Sequence, residues 1–147
     1  MDKFVLLLLS FFNVGRFKYA PGTVASIFAS FLWYHFPNVF FLQFSVIIFL
    51  VIISILLCFY YNKKIQKDDP SFIVVDEICG MCIALFMIPK SYILFLISFL
   101  LFRFFDIFKP LCIYRSQKID YGIGIVLDDI LAGLYTLFIM NVIIYNI

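Results

Sequence analysis

Long apolar runs alternate with short polar breaks along the chain, and the breaks delimit the predicted elements. Phe4 to Phe12 is apolar but too short to cross a bilayer, which takes about 20 residues. Lys3 precedes it and Asn13-Val14-Gly15-Arg16-Phe17 follows, so no small-residue cleavage site is present. An interfacial or partly inserted helix is the expectation there. After the Pro21-Gly22 break, Thr23 is placed to cap a helix over 24–36 that can extend back through the Pro-Gly pair. Pro37-Asn38 reads as a turn. Val39 to Tyr61 carries no formal charge, ends at Lys63, Lys64 and Lys67, and is the clearest span. Phe72 to Ile88 and Tyr92 to Phe105 predict a helical hairpin about Pro89-Lys90-Ser91. A polar stretch over 106–121 leads to a last span from Ile125 to Tyr145.

Composition sharpens this pattern. The chain is 65% hydrophobic and 14% charged with a mean hydropathy of +1.12, whereas soluble domains run near 45–50% and about 25%. The expected fold is all-α: one polytopic membrane domain over 1–147, a small bundle of about four to five membrane helices with an amino-terminal interfacial helix. A net charge of +2 is too small to suggest a nucleic-acid partner. Cys58, Cys79, Cys82 and Cys112 lie in apolar or membrane-flanking stretches, which does not fit a secreted disulfide framework. With the amino end cytoplasmic and the crossings alternating, Lys3, Arg16, Lys18, Lys63, Lys64, Lys67, Arg103, Lys109, Arg115 and Lys118 all fall on the cytoplasmic side, and only Lys90 faces outward. The bilayer is therefore the first partner, and the cytoplasmic membrane the expected location.

In that topology Asp76 and Glu77 begin one span, Arg103 and Asp106 end another, and Asp128 and Asp129 begin the last, all at one membrane face. Acids in membrane segments are costly and point to function. A short echo links two of the groups: "VVDEI" (74–78) and "VLDDI" (126–130), with Gly80 four residues after Asp76 and Gly133 four after Asp129. A glycine one turn along lets a second helix approach closely. Carboxylates brought together this way need a cation, since repulsion would otherwise force protonation. His35 is the single histidine and is expected at the opposite face, so the donors are oxygens, which suit Mg²⁺, Mn²⁺ or Ca²⁺. Cys79 and Cys82, a lone CxxC, read as small buried helix residues rather than metal ligands. Arg103, Asp106 and Lys109 are spaced to form one helical stripe. The stripe suits a phosphate held jointly by cations and metal; it equally suits a membrane-end helix with snorkelling basic residues. No cysteine has an arginine six residues on, and no Walker A loop is present. Any phosphate chemistry here falls to carboxylates and metal.

Four blocks, "APGTVAS" (20–26), "VVDEICG" (74–80), "FRFFDIFKP" (102–110) and "GIGIVLDDILAG" (122–133), together resemble the phosphatidylglycerophosphatase A family. These are all-helical, Mg²⁺-dependent enzymes that hydrolyse phosphatidylglycerophosphate to phosphatidylglycerol and phosphate. The resemblance implies a substrate-binding loop of Pro21, Gly22, Thr23 and Ser26, joined by Lys18. It also implies Mg²⁺ held among Asp76, Glu77, Asp128 and Asp129, and catalytic roles for Arg103, Lys109 and Asp106 on the cytoplasmic face. Arg103 and Lys109 would neutralise the phosphoryl oxygens, and a carboxylate such as Asp106 would orient or deprotonate water. Spacing leaves open which acid is ligand and which is base. The chain departs from the family pattern at Asn13 and Ala25, where glycine is usual, and at Lys18, where proline is usual. Two other functions fit the residues: a hydrolase or transferase acting on another lipid phosphate, and a cation or proton transporter using the acids as a relay. Against the transporter, the charges gather at one face rather than the midplane.

Overall fold

A computed structural model describes residues 3–65, 72–109 and 123–146, and every described element is helical. In chain order these are α1 (Lys3–Leu9), a 3₁₀ turn (Val14–Arg16), α2 (Pro21–His35), α3 (Phe40–Ile65), α4 (Val75–Ala84), α5 (Tyr92–Phe108) and α6 (Ile123–Tyr145). Lys67, Cys112, Arg115 and Lys118 lie outside the described residues.

Two helices, Phe40–Lys63 within α3 and α6, are long and apolar enough to cross a membrane. α3 is apolar all round, yet only 11% of its most apolar window is buried. Phe41, Phe49, Ile52 and Leu56 stand exposed along it. A surface of this kind is unfavourable in water and ordinary in lipid. Together these features suit a helix that lies in a membrane.

α4 is the hub. Nine of its ten residues are buried, and α2, α3, α5 and α6 all pack against it. The hydrophobic run over 72–88 suggested a longer helix, but α4 stops at Ala84 and gives way to turns through Met87, whose φ is 56°. A helix that ends inside an apolar bundle leaves backbone groups needing partners. Trp33 Nε1 donates to the Leu85 carbonyl at 3.1 Å. The Met87 N–H donates to Gln43 Oε1 at 2.9 Å, while Gln43 Nε2 donates to the Pro37 carbonyl at 3.2 Å and to Asn38 Oδ1 at 3.1 Å. Gln43, only 2% exposed, thus joins the loop before α3 to the broken end of α4.

Other boundaries also moved. α2 begins at Pro21, with Ala20 as its N-cap at φ 45° and no side-chain cap; Thr23, expected as the cap, lies inside the first turn. Proline is favoured at that first position because it has no N–H to leave unsatisfied. Lys109 is not on the α5 stripe. It is the C-cap, turned into the left-handed region at φ 44°.

Removing the Gln43 acceptor isolates a buried N–H, which costs about 1–3 kcal/mol. Gln43→Leu is therefore expected to lower the melting temperature in detergent, and an unchanged value would show that water reaches Met87.

Candidate active site

The site begins where α4 and α6 touch. A Cβ on Gly80 would lie 2.6 Å from the Asp129 carbonyl oxygen and 2.8 Å from the Phe102 ring, and one on Gly133 would collide with the Gly80 carbonyl. Only glycine permits this approach, and the acids one turn earlier on each helix converge as a result. One carboxylate oxygen each from Asp76, Glu77 and Asp129 lies within 4.8 Å of the others. Asp76 and Asp129 are buried. The echo between the segments extends to their hydrogen bonds: Asp76 Oδ1 accepts from the Glu77 N–H, and Asp128 Oδ1 from the Asp129 N–H, each at 3.1 Å.

Asp128, expected among the metal ligands, also carries an ion pair. Its Oδ2 takes the Lys109 ammonium at 2.5 Å, and the carboxylates that gather within 4.8 Å among the described residues are those of Asp76, Glu77 and Asp129. Burial works against the Lys109 charge, but the hydrogen bond and charge of Asp128, with Asp106 and Asp129 behind, hold its pKa above the ordinary lysine value.

Arg103 Nη1 stands 2.5 Å from Asp106 Oδ2. That distance marks an ion pair, and Nη1 has no other hydrogen-bond partner among the described residues. Arg103 Nε, on the same guanidinium, has no hydrogen-bond partner among the described residues. Four buried polar atoms here lack hydrogen-bond partners among the described residues: Arg103 Nε and Nη1, Glu77 Oε2 and Asp129 Oδ1. Buried polar atoms are rarely left so. Acceptors of Glu77 and Asp129 without partners, close to an arginine whose Nε is also unpartnered, fit a ligand with both a cationic and an anionic part. The oxygen-only acid set fits a hard divalent cation.

The first turn of α2 closes the site. A Cβ on Gly22 would overlap Glu77 Oε1 and lie 3.4 Å from Arg103 Nη1, so this glycine is seated directly on both. Pro21 and Thr23 flank it, half-buried. Ser26 is buried, but its hydroxyl donates to the Gly22 carbonyl at 2.8 Å and is thereby held within its own helix. Lys18 is exposed, 5.6 Å over the Tyr19 ring. Asn13 has φ 72°, a conformation that suits glycine and, among other residues, asparagine best. Ala25 is fully buried. His35 lies at the other end of α2, and Cys79 and Cys82 are buried free thiols. Phe102, fully buried against Gly80, went unremarked in the sequence because nothing separates it from the surrounding phenylalanines.

The family model described as Phosphatidylglycerophosphatase A matches residues 7–144. A putative phosphatidylinositol-3-phosphatase of Bacteroides thetaiotaomicron is 33% identical over 141 residues, covering 89% of this chain and 87% of that protein. A phosphatidylglycerophosphatase A of Haemophilus influenzae is 36% identical over 145 residues, covering 95% and 88%. That of Escherichia coli is 32% identical over 130 residues, covering 86% and 76%. No solved structure matches.

If the glycine contact brings the acids together, Gly80→Ala should force α4 and α6 apart. The expected cost is about 1–3 kcal/mol, together with loss of any thermal stabilisation by divalent cations. Retention of that stabilisation would show that the acids gather without the close contact.

Proposed function

The chain belongs to the phosphatidylglycerophosphatase A family, and from that premise we propose that it is a Mg²⁺-dependent lipid phosphatase of the cytoplasmic membrane, hydrolysing phosphatidylglycerophosphate to phosphatidylglycerol and phosphate. The observation that carries this is the group of stranded polar atoms, acceptors of Glu77 and Asp129 beside donors of Arg103, which suits a metal–phosphate pair. Asp76, Glu77 and Asp129 would hold the cation. A divalent cation supplies polarisation of the phosphate and a lowered pKa for water. Arg103 would offer Nε and Nη1 to phosphoryl oxygens as their charge grows. Lys109, held by Asp128, would add positive potential from the α5–α6 side. Asp106, set against Arg103, would orient the attacking water and accept its proton. The first turn of α2, with amides that lack intrahelical partners, would receive the phosphate at Gly22 and Thr23, Pro21 shaping the turn and Ser26 stabilising it. Lys18 would act at longer range on the anionic headgroup.

The domain is proposed to span the whole chain, with four to five membrane helices, α1 lying in the interface and the acids facing the cytoplasm. Supporting that orientation, Arg103 and Lys109 share the acid end of the bundle, while Lys90 lies between α4 and α5 at the other end. A second reading, hydrolysis of a phosphorylated inositol lipid, is favoured by the Bacteroides relative's name.

Phosphate release by the purified protein in mixed micelles tests both. Release from phosphatidylglycerophosphate with Mg²⁺, abolished by chelation and restored by Mg²⁺, is expected. Preference for phosphatidylinositol 3-phosphate would establish the second reading, turnover of neither would reject a lipid phosphatase of these classes, and full turnover after chelation would reject the metal.

Asp129→Asn keeps the shape of the side chain and removes one of three clustered charges. Turnover should be abolished, with the metal-free melting temperature unchanged or raised as repulsion is relieved. A marked fall in melting temperature with activity partly retained would make Asp129 structural.

A further inference from the structure

Away from the acids, α1 and the 3₁₀ turn enclose a surface hollow of about 690 Å³, lined by Lys3, Phe4, Leu6, Leu7, Asn13 and Arg16. Its construction is specific. Phe11, Phe12 and Asn13 are consecutive left-handed residues at φ 41°, 53° and 72°, a conformation costly for phenylalanine. They are held by bonds from Phe12 N–H to the Leu7 carbonyl at 2.8 Å and from Gly15 N–H to the Ser10 carbonyl at 2.9 Å. This turn folds the chain back so that Asn13 and Arg16 share a hollow with Lys3. The hollow is basic: no Asp or Glu occurs from Lys3 to Lys67, and neither ion pair among the described residues involves Lys3 or Arg16. Asp2 lies outside those residues. Phe4, in the lining, is 67% exposed, and Phe12 and Phe17, next in sequence to Asn13 and Arg16, are 64% and 60% exposed.

Two cations and an amide beside three apolar side chains complement an anionic headgroup carrying acyl chains. We propose that this hollow is an accessory binding site for an anionic phospholipid, distinct from the acid cluster. The lipid phosphate lies between Lys3 and Arg16, Asn13 donates to it, and the chains lie along Phe4, Leu6 and Leu7. The site adjoins the catalytic hub: the Leu9 carbonyl accepts the Val74 N–H at 3.0 Å, one residue before α4. A Cβ on Gly15 would collide with the Phe72 carbonyl. A lipid seated there braces the strand of chain that leads into Asp76 and Glu77.

The test uses the full chain in uncharged detergent with a chelator present, so that the acid cluster repels anions. Phosphatidylserine should raise the melting temperature in a saturable way, whereas phosphatidylcholine and inorganic phosphate should not. The double variant Lys3→Gln, Arg16→Gln should need about tenfold or more lipid for the same rise, and Lys63→Gln, an exposed lysine outside the hollow, should respond like the parent. An equal response to phosphatidylcholine, an unaffected double variant, or an equal loss in Lys63→Gln overturns the proposal. Stabilisation by inorganic phosphate alone overturns the lipid as occupant. Should the double variant be unstable without lipid, Phe4→Trp leaves both cations intact. Its fluorescence should be quenched by brominated phosphatidylserine more than by brominated phosphatidylcholine, and equal quenching overturns the site.

Discussion

Two helix backbones in direct contact set the rest of this structure. Gly80 of α4 lies against the Asp129 carbonyl and Gly133 against the Gly80 carbonyl, closer than any side chain would allow. In lipid, no hydrophobic effect drives helices together, so close packing of small residues carries much of the association. The contact also does what the acids cannot do for themselves. Asp76, Glu77 and Asp129 repel one another, and their gathering within 4.8 Å is imposed by the scaffold one turn away.

Around that cluster the charges are sorted rather than pooled. Arg103 faces Asp106 and Lys109 faces Asp128, so each cation is matched with an acid outside the cluster of three. The cluster keeps an excess of negative charge that a divalent cation would offset. Arg103, paired with Asp106 through Nη1, still carries an Nε without a hydrogen-bond partner among the described residues. On the proposed reading, acceptors for a cation and a donor for an anion lie near one another, the arrangement a phosphate ester and its metal require.

The central helix is short for a reason that bears on the site. By ending at Ala84, α4 presents its acidic first turn at one end of the bundle and fits wholly inside it. Trp33 and Gln43 satisfy the backbone beyond its end. Non-helical backbone buried in an apolar interior needs such partners.

The sequence by itself determined the helical class, the two long apolar helices and the chemistry of the candidate donors. Apolar runs and their charged ends follow directly from what a bilayer tolerates, and a single histidine leaves oxygen as the main donor type available. The glycine one turn after each acid was legible too, as spacing. Tertiary structure alone decided how the acids divide. Adjacent helical residues point about 100° apart, so the doublet Asp128-Asp129 splits, one toward Lys109 and the other toward Asp76 and Glu77. Regular spacing suggested a stripe of Arg103, Asp106 and Lys109, but Lys109 leaves the helix at its cap and reaches another element. Which neighbour a side chain meets depends on where helices end and how they cross, and neither is written in the local pattern.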